Sequence, residues 1–244
     1  MTIDAAGLDH RTFNEEIKAA LAAGETDLNL VNVCGHRYIG CGIQGDATLH
    51  IDGVPGNDMA AFMSGLKLLC SENVQDGVAN TMNEGLIVVP GHAGDVLGYA
   101  MRGGRVYVRG NAGYRIGIHM KSYLDKEPII VIGGRAKDFA GEYMAGGKLI
   151  ILGLDTPADE PLVGRYCGSG MHGGAMYVRG EVPAWTIGKG VAAQTPSEAD
   201  LAEVRGILAD YCGTFGLDLE TVMSKPFLKL SAQSARPHGR LYAY

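Results

Sequence analysis

Apolar residues alternate with polar ones in short runs, and these runs recur along the middle of the chain at a nearly constant spacing. Each run follows a methionine, and the intervals between successive methionines are 19, 19, 19, 24 and 27 residues: Met63, Met82, Met101, Met120, Met144 and Met171. In five of the six units the fifth and seventh residues after the methionine are apolar. Alternation with a period of two is typical of a β-strand with one buried face. The pattern therefore predicts one strand per unit, including Leu86–Val89, Arg105–Val108, Lys148–Ile151 and Ala175–Val178.

The two longer intervals predict insertions in an otherwise regular repeat. Five additional residues fall around Ser122–Pro128, and removing them returns the following apolar pair to its strand positions. Eight additional residues form the segment Asp155–Leu162. A further unit, in which Ile43 replaces the methionine, precedes the first one. We therefore expect at least seven coils between about residues 34 and 180.

A unit of 19 residues with one or two short strands cannot bury its apolar face alone, but copies stacked on one another can. The repeat therefore predicts an all-β fold, a β-solenoid with coils of about 19 residues, in which like positions stack in parallel ladders. The methionines form an interior column, and glycines such as Gly98 and Gly117 mark corners or close contacts. Calcium-binding nonapeptides, leucine-rich repeats and the hexapeptide left-handed helix are not favoured, because their patterns or periods do not match.

Helices are predicted on both sides of the repeat. The first begins with a capping box formed by Thr12 and Glu15. The second begins at Thr195–Glu198 and continues to Gly213, and a short third helix follows at Leu219–Ser224. We expect these helices to cap open ends of the solenoid, where strand edges would otherwise be unpaired.

These elements divide the chain into three segments. An N-terminal helix and lead-in take residues 1–30, the solenoid domain takes 31–190, and C-terminal helices with a tail take 191–244. From Pro226 onwards the sequence carries few structure signals. Arginine and tyrosine alternate with other residues between Ser234 and Tyr242, and both types are enriched at protein interfaces. The tail is therefore predicted to be a docking arm, and a tail folded back on its own solenoid is the alternative.

The composition is that of a folded protein. Glycine accounts for 37 of 244 residues, about twice the usual share of roughly 7%. Because 46% of the residues are hydrophobic and the mean hydropathy is +0.04, a disordered chain is excluded, and the glycine spacing excludes collagen. A net charge of −6 argues against a nucleic-acid partner. The absence of a signal-peptide or membrane-span pattern and the odd number of five cysteines predict a soluble, cytoplasmic protein with reduced thiols.

No pattern in the sequence assigns a catalytic or cofactor-binding residue. Gly-x-Gly runs such as Gly40-Cys41-Gly42 and Gly168-Ser169-Gly170 do not precede a helix. A phosphate-binding loop needs the N-terminus of such a helix. We therefore interpret these runs as corners of the repeat.

Metal binding is not predicted either. Two groups contain possible ligands: Cys34, His36 and Cys41 in one, and Cys167 and His172 in the other. Neither group has the four ligands in short paired spacings that zinc usually requires, so these cysteines are interpreted as structural. His119 and His172 lie one residue before and one after a methionine. We interpret these two histidines as exposed corners, with contact to a partner protein as the alternative.

The repeating unit resembles that of a known family. Its most complete copy is Gly94–Gly104, and Gly141–Gly147 repeats the same glycine and methionine positions. The unit is similar to that of the GXGXG domain, the C-terminal β-helix of the large subunit of glutamate synthase, over about residues 28–190. The resemblance implies a right-handed β-helix that carries no catalytic residue. In the fused enzyme this domain braces the amidotransferase and synthase domains around an ammonia path.

The resemblance implies a separate scaffold subunit of a glutamate synthase-type enzyme. The expected partners are a glutamine amidotransferase subunit and an FMN-dependent synthase subunit with an iron–sulfur cluster, in a hetero-oligomer without nucleic acid or membrane. FMN and the cluster are expected in the partner, and no cofactor is expected in this chain. The equivalent subunits of N-methylglutamate synthase and of formylmethanofuran dehydrogenase share the motif and stay open as alternatives. A solenoid acyltransferase and a self-associating interaction module are the alternatives from other classes.

Overall fold

Parallel strands stacked in chain order form one continuous sheet, as the repeat predicts. The computed structural model of the chain describes residues 1–157 and 159–234. Its strands are β1 (Thr2–Asp4), β2 (Asp27–Cys34), β3 (Thr48–Val54), β4 (Ser64–Cys70), β5 (Glu84–Val89), β6 (Arg105–Val108), β7 (Ile129–Ile132), β8 (Ala145–Ile151), β9 (Gly173–Arg179), β10 (Val191–Gln194) and β11 (Phe227–Ala232). Its helices are α1 (His10–Ala22), α2 (Glu198–Phe215) and α3 (Leu219–Met223), with a 3-10 turn at Ala184–Thr186. The strands from β1 to β9 are neighbours in sequence order, and β11 and then β10 complete the sheet.

The register of the sheet confirms the repeat and both insertions. One ladder runs through Leu49, Leu68, Ile87, Val106, Ile130, Leu149 and Met176. Its steps are 19 residues except for 24 between β6 and β7 and 27 between β8 and β9. The solenoid has about six turns instead of the expected seven or more. The preceding step, from Leu28 to Leu49, is irregular because it contains a register shift between Leu30 and Val33.

Side chains from every second strand position fill the interior. The six repeat methionines lie among them and are at most 1% exposed: Met63, Met82, Met101, Met120, Met144 and Met171. A second, narrower ladder of isolated bridges joins successive coils through Val74, Ala93, Ala112, Ala136 and Val163. The methionine column is thus part of the core, where an unbranched and polarizable side chain adapts to the gaps between stacked coils.

Both long helices begin at different residues from those predicted. The Asp9 carboxylate accepts the backbone N–H groups of Arg11 and Thr12 at 2.9 and 2.8 Å, so the cap of α1 lies three residues before the predicted one. In α2 the capping box consists of Ser197 and Asp200, two residues after the predicted one. An aspartate or serine oxygen beside the first free N–H groups is an effective cap, and Asp9 and Ser197 fill this role here.

The two long helices cover different parts of the solenoid. In α1, Phe13, Ile17 and Ala20 join the interior cluster at the N-terminal end, as a capping helix should. In α2, Val204 and Leu208 instead pack on outward-facing side chains of the sheet: Tyr107, Val131, Ile150 and Tyr177. The prediction that the C-terminal helices cap an open end is therefore wrong for α2. The outer face of β6 to β9 is apolar, and α2 removes it from water.

The segment after Pro226, predicted to have little structure, contains β11. This strand pairs antiparallel with β9, and β10 pairs antiparallel with β11. Phe227 and Leu230 are buried, so the pairing also adds to the core. The edge that β9 would otherwise expose is covered in this way. Residues 235–244 lie outside the described residues, and the docking arm stays a prediction.

Candidate functional site

The residues that precede each methionine form a further wall of the solenoid, which we call the turn wall. It comprises residues 38–42, 58–62, 77–81, 96–100, 115–119, 139–143 and 166–170. The first, third and fifth residues of each segment have positive φ, as in Val96 (52°), Gly98 (70°) and Ala100 (50°). The N–H of Val96 donates to the Tyr114 carbonyl on one side, and that of Gly98 donates to the Val78 carbonyl on the other, both at 2.8 Å. The turn wall is therefore a hydrogen-bonded ladder in which alternate residues are left-handed.

The middle left-handed position of each segment faces the core. A Cβ atom on Gly98 would lie 2.3 Å from Ile130 Cδ1, and one on Gly141 would lie 2.5 Å from the Met176 sulfur. Only the smallest residues occur at this position: Gly40, Ala60, Ala79, Gly98, Gly117, Gly141 and Gly168. The left-handed conformation therefore favours glycine throughout this position, and lack of space adds to it at Gly98 and Gly141. At Gly117 a Cβ would lie 3.6 Å from Leu149 Cδ2, which is an ordinary contact.

The outer left-handed positions carry large side chains instead. The first position holds Tyr38, Arg115, Phe139 and Tyr166, and the fifth holds Phe62, His119 and Tyr143, all with φ between 52° and 64°. A left-handed conformation costs a residue other than glycine roughly 1–2 kcal/mol. The same two positions hold glycine in other coils, at Gly42, Gly77 and Gly170. The fold therefore accepts glycine at these positions, and folding does not explain the aromatic and charged side chains.

These side chains stack between coils into two rows, which we call the aromatic rows. In one row the His119 ring stacks on Tyr143, with centroids 5.2 Å apart and planes 9° apart, and Tyr99 meets His119 edge-on. In the other, Phe139 stacks on Tyr166 at 4.9 Å and the Arg115 guanidinium lies 4.5 Å from the Phe139 centroid. Tyr143 is 39% exposed and Tyr166 is 52% exposed. Both rows thus present rings to solvent.

The two ends of the turn wall differ in charge. Toward the C-terminal coils, Lys137 lies over the Tyr114 ring at 4.9 Å, and Arg165 is exposed beside Tyr166. Toward the N-terminal coils, Asp76 and Asp95 directly precede their segments of the wall, and their Oδ1 atoms accept backbone N–H groups of the next coil, both at 2.8 Å. Asp138 holds the same position in the C-terminal coils and accepts the Arg165 N–H at 2.8 Å, so all three carboxylates bind their own chain.

The motif of the turn wall places the chain among known proteins. The chain matches the GXGXG motif family over residues 14–232. It belongs to the GXGXG family. An uncharacterized protein of Methanocaldococcus jannaschii is 42% identical to this GXGXG chain over 250 residues, which cover 99% of the chain and 96% of that protein.

The fold of the GXGXG chain is also found in a solved structure. It is similar to a chain of the formyltransferase/hydrolase complex of Methylorubrum extorquens, determined in complex with methylofuran. The TM-score is 0.64, with 95% of this chain and 91% of that chain covered. Because the two sequences are only 19% identical, this similarity concerns the fold alone.

The first group of possible metal ligands in the GXGXG chain has a structural role. The His36 Nδ1 accepts the backbone N–H of Cys34 at 3.1 Å, and its Nε2 lies 3.1 Å from the Leu8 carbonyl oxygen. The Nδ1 contact therefore holds the loop of His36 itself, and the Nε2 contact holds the lead-in to α1. Cys41 is partly buried, and desolvation raises the pKa of its thiol. Within residues 1–157 and 159–234, no group of three or more His, Cys, Asp or Glu side chains is arranged for a metal ion.

The second group is divided by the wall of the solenoid. Burial raises the pKa of the Cys167 thiol to about 12, and its sulfur lies 4.0 Å from the Met176 sulfur in the core. His172 is exposed. Cys167 is therefore a core residue. The Gly-x-Gly runs that include Gly40 and Gly168 lie in the turn wall, where we expected repeat corners.

The aromatic rows were not predicted from the sequence, although a signal for them exists. Phe62, His119 and Tyr143 each directly precede the methionine of their unit, and Arg115 and Phe139 each lie five residues before it. Aligning the units on methionine therefore places aromatic and basic residues in the same two columns. Of these residues, the sequence alone suggests only His119 as a partner contact. Among the described residues, no helix is both long and apolar enough to cross a membrane.

Proposed function

We propose that this chain is a non-catalytic scaffold subunit of a multi-subunit glutamate synthase-type enzyme. In this role it braces a glutamine amidotransferase subunit against a synthase subunit that holds FMN and an iron–sulfur cluster. The family match and the resemblance of the repeat to the glutamate synthase β-helix support this role. The M. jannaschii relative, which is covered over 96% of its length, is an example of the same domain as a separate protein.

The observation that carries the scaffold role is the pair of aromatic rows. Tyrosine, phenylalanine and arginine are enriched in protein interfaces, and exposed clusters of them are typical of contact surfaces. Here they occupy backbone positions where the fold accepts glycine without strain. A rigid solenoid that presents such rows on one wall is suited to hold partner subunits at a fixed distance.

The test is to purify the tagged full-length chain from its native source and identify the proteins that accompany it. We expect an amidotransferase-like and a flavin-containing synthase-like subunit, and glutamine-dependent glutamate formation by the complex. N-methylglutamate as the product, resolved by mass spectrometry, would assign the complex to N-methylglutamate synthase. Purification of the chain without either subunit would contradict the proposal.

A subunit of a formyltransferase/hydrolase-type complex is the second candidate. The observation that favours it is the similar fold of a chain from such a complex, with a TM-score of 0.64. Formyl transfer by the purified complex, and no glutamine-dependent activity, would select this candidate. Incubation of the isolated chain with a panel of acyl-CoA donors tests the acyltransferase alternative, for which we expect no turnover.

A further inference from the structure

We propose that the C-terminal half of the turn wall binds an acidic, extended segment of a partner subunit. This binding surface, which we call the basic aromatic patch, is formed by Arg115, His119, Lys137, Phe139, Tyr143 and Tyr166. The inference rests on the proposed function, because it assumes that the chain works in a complex. It adds which surface is used and what chemistry the partner segment has.

The first step of the argument is that the patch is not required by the fold. Phe139, Tyr143 and Tyr166 have φ values of 64°, 52° and 61°. For bulky residues such values are outliers that persist only where the surroundings impose them. Because glycine fills the fifth position of the turn wall at Gly42 and Gly170, the backbone does not need a ring there. The backbone therefore does not require these rings, and the exposed Tyr143 and Tyr166 rings can contact a partner.

The second step is that the rings are held in place and accessible. The 9° angle between the His119 and Tyr143 planes and the 19° angle between the Phe139 and Tyr166 planes align the rings of successive coils. The two rows are four residues apart along each coil. Rings that are ordered before binding lose little conformational entropy when a partner covers them. A segment running along the solenoid would contact both rows in several coils.

The third step concerns charge and selects an acidic segment. The whole chain has a net charge of −6, yet the patch contains Arg115 and Lys137, with Arg165 beside it. The neighbouring Asp138 carboxylate is engaged, because it accepts the Arg165 N–H at 2.8 Å. Within the described part of the chain, Lys137 and Arg165 form no ion pair, and the Arg115 guanidinium is 3.6 Å from Glu142. Positive groups among aromatic rings favour carboxylates, since arginine binds them in a fork and also stacks on rings.

The charge distribution also argues for an external partner over a second copy of this chain. The acidic end of the turn wall would be the complementary surface on a second copy. There, the Oδ1 atoms of Asp76 and Asp95 already accept backbone N–H groups. A partner segment with free carboxylates would bind the positive groups of the patch better than the Asp76 and Asp95 carboxylates, which already accept hydrogen bonds.

The direct test measures binding of a fluorescently labelled poly-L-glutamate probe to the full-length chain by anisotropy, with poly-L-lysine as the probe of opposite charge. We expect poly-L-glutamate to bind and its affinity to fall with added salt. In the triple variant Arg115→Gly, Phe139→Gly and Tyr143→Gly the affinity should fall by about tenfold or more. Glycine is used because it suits positive φ, and thermal unfolding verifies that the variant folds. The matched control, Phe62→Gly, removes a ring from the acidic end and should bind like the wild type.

Three results of the binding measurements would overturn the proposal. They are no binding of poly-L-glutamate at low salt, equal binding by the folded triple variant, or an equal loss in the Phe62→Gly control. Light scattering adds a further check. A wild-type dimer that the triple variant dissociates would show that the patch binds a second copy instead.

Purifying the wild-type chain and the variants from the native source, and identifying the subunits that accompany each, distinguishes failure of this inference from failure of the proposed function. If the wild-type chain carries no amidotransferase or synthase subunit, the proposed function fails whatever the probe shows. If the wild-type chain and the triple variant carry these identified subunits equally, the proposed function stands and the basic aromatic patch is not their binding surface. The expected result is retention by the wild type and by Phe62→Gly, and loss of at least one identified subunit from the triple variant.

Discussion

At the scale of single residues, the turn wall has two kinds of left-handed position, one facing the core and the other facing solvent. Gly98 and Gly141 lie where a Cβ would collide with core side chains, so both conformation and space require glycine. Tyr143 lies at a left-handed position with solvent on its outer side. At the same φ, core packing therefore limits the side chain in the first case. In the second case, by our proposal, partner binding explains the large side chain.

Gly85, in β5, tests how much lack of space at a positive φ matters where the neighbouring atom belongs to the backbone. Its φ is 109°, and a Cβ atom would lie 2.3 Å from the backbone oxygen of Leu66 in the neighbouring coil. Because neither the backbone nor the oxygen can move without breaking the ladder, we expect Gly85→Ala to lower the free energy of unfolding by ~2–4 kcal/mol. The control is Gly206→Ala in α2, which has open space around it and should raise stability by ~0.5–1 kcal/mol. Urea unfolding followed by circular dichroism measures both, and equal stabilities would contradict the argument.

At the scale of elements, α2 is held on the sheet by an apolar face and by charged contacts at its edge. Tyr211 stacks edge-on against Tyr107, with centroids 5.6 Å apart, and donates to the Val108 carbonyl. The mostly buried Lys148 pairs with Glu127 and, at 2.6 Å, with Glu203 of α2. Such contacts join residues far apart in sequence, so the position of α2 depends on the assembled sheet.

Asp200 makes the attachment of α2 dependent on pH. Hydrogen bonds from Lys229 at 2.6 Å, then from Ser197 and Tyr177, hold the pKa of its carboxyl well below the usual range. A lowered pKa in the folded state means that this stabilisation is complete above the ordinary carboxyl pKa of about 4 and is lost as the pH falls below it. We expect Asp200→Asn to lower stability at neutral pH by ~1–3 kcal/mol. Its stability should then decline less steeply than that of the wild type below about pH 4.

Chemical unfolding at a series of pH values measures this difference. Asp46→Asn, which removes an exposed carboxylate in a loop, is the matched control and should follow the wild-type profile. An Asp200→Asn profile parallel to that of the wild type between pH 7 and 3 would show that Asp200 does not contribute in this way.

At the scale of the whole molecule, the solenoid must protect the edges of its sheet, which has eleven strands within residues 1–157 and 159–234. Toward the N-terminal end, α1 fills the interior with Phe13 and Ile17. At the other end, β11 pairs with β9 and turns the sheet antiparallel. Unpaired strand edges are templates for association, and this pairing covers the β9 edge and leaves the short strand β10 at the end of the sheet.

Two truncations test the closure. A chain that ends at Lys225 lacks β11, which exposes the β9 edge and leaves β10 unpaired. We expect it to self-associate and to unfold at a lower temperature than the full chain. A chain that ends at Ser234 retains β11 and should match the full chain in both properties. Light scattering and thermal circular dichroism measure these effects. A monomeric truncation at Lys225 with an unchanged unfolding temperature would refute the role of β11.

The sequence alone determined the strands of the repeat, their register, both insertions and the methionine core. These features could be predicted because stacked coils place like residues on like, so that a local period of 19 residues fixes long-range pairing. Cap positions were predicted less well, because Asp9 and Ser197 compete with nearby candidates of similar chemistry.

Three features were decided only by the tertiary structure. They are the surface on which α2 packs, the pairing of β11 with β9, and the positive φ of alternate residues in the turn wall. Residue type does not impose positive φ on Phe139 or Tyr143; the hydrogen bonds of the neighbouring coils do. The contact of α2 with β6 joins Tyr211 to Tyr107 across about a hundred residues, which no local pattern records. The candidate site depends on both effects, since its rings are aligned by the stacking of coils and exposed because α2 covers a different wall.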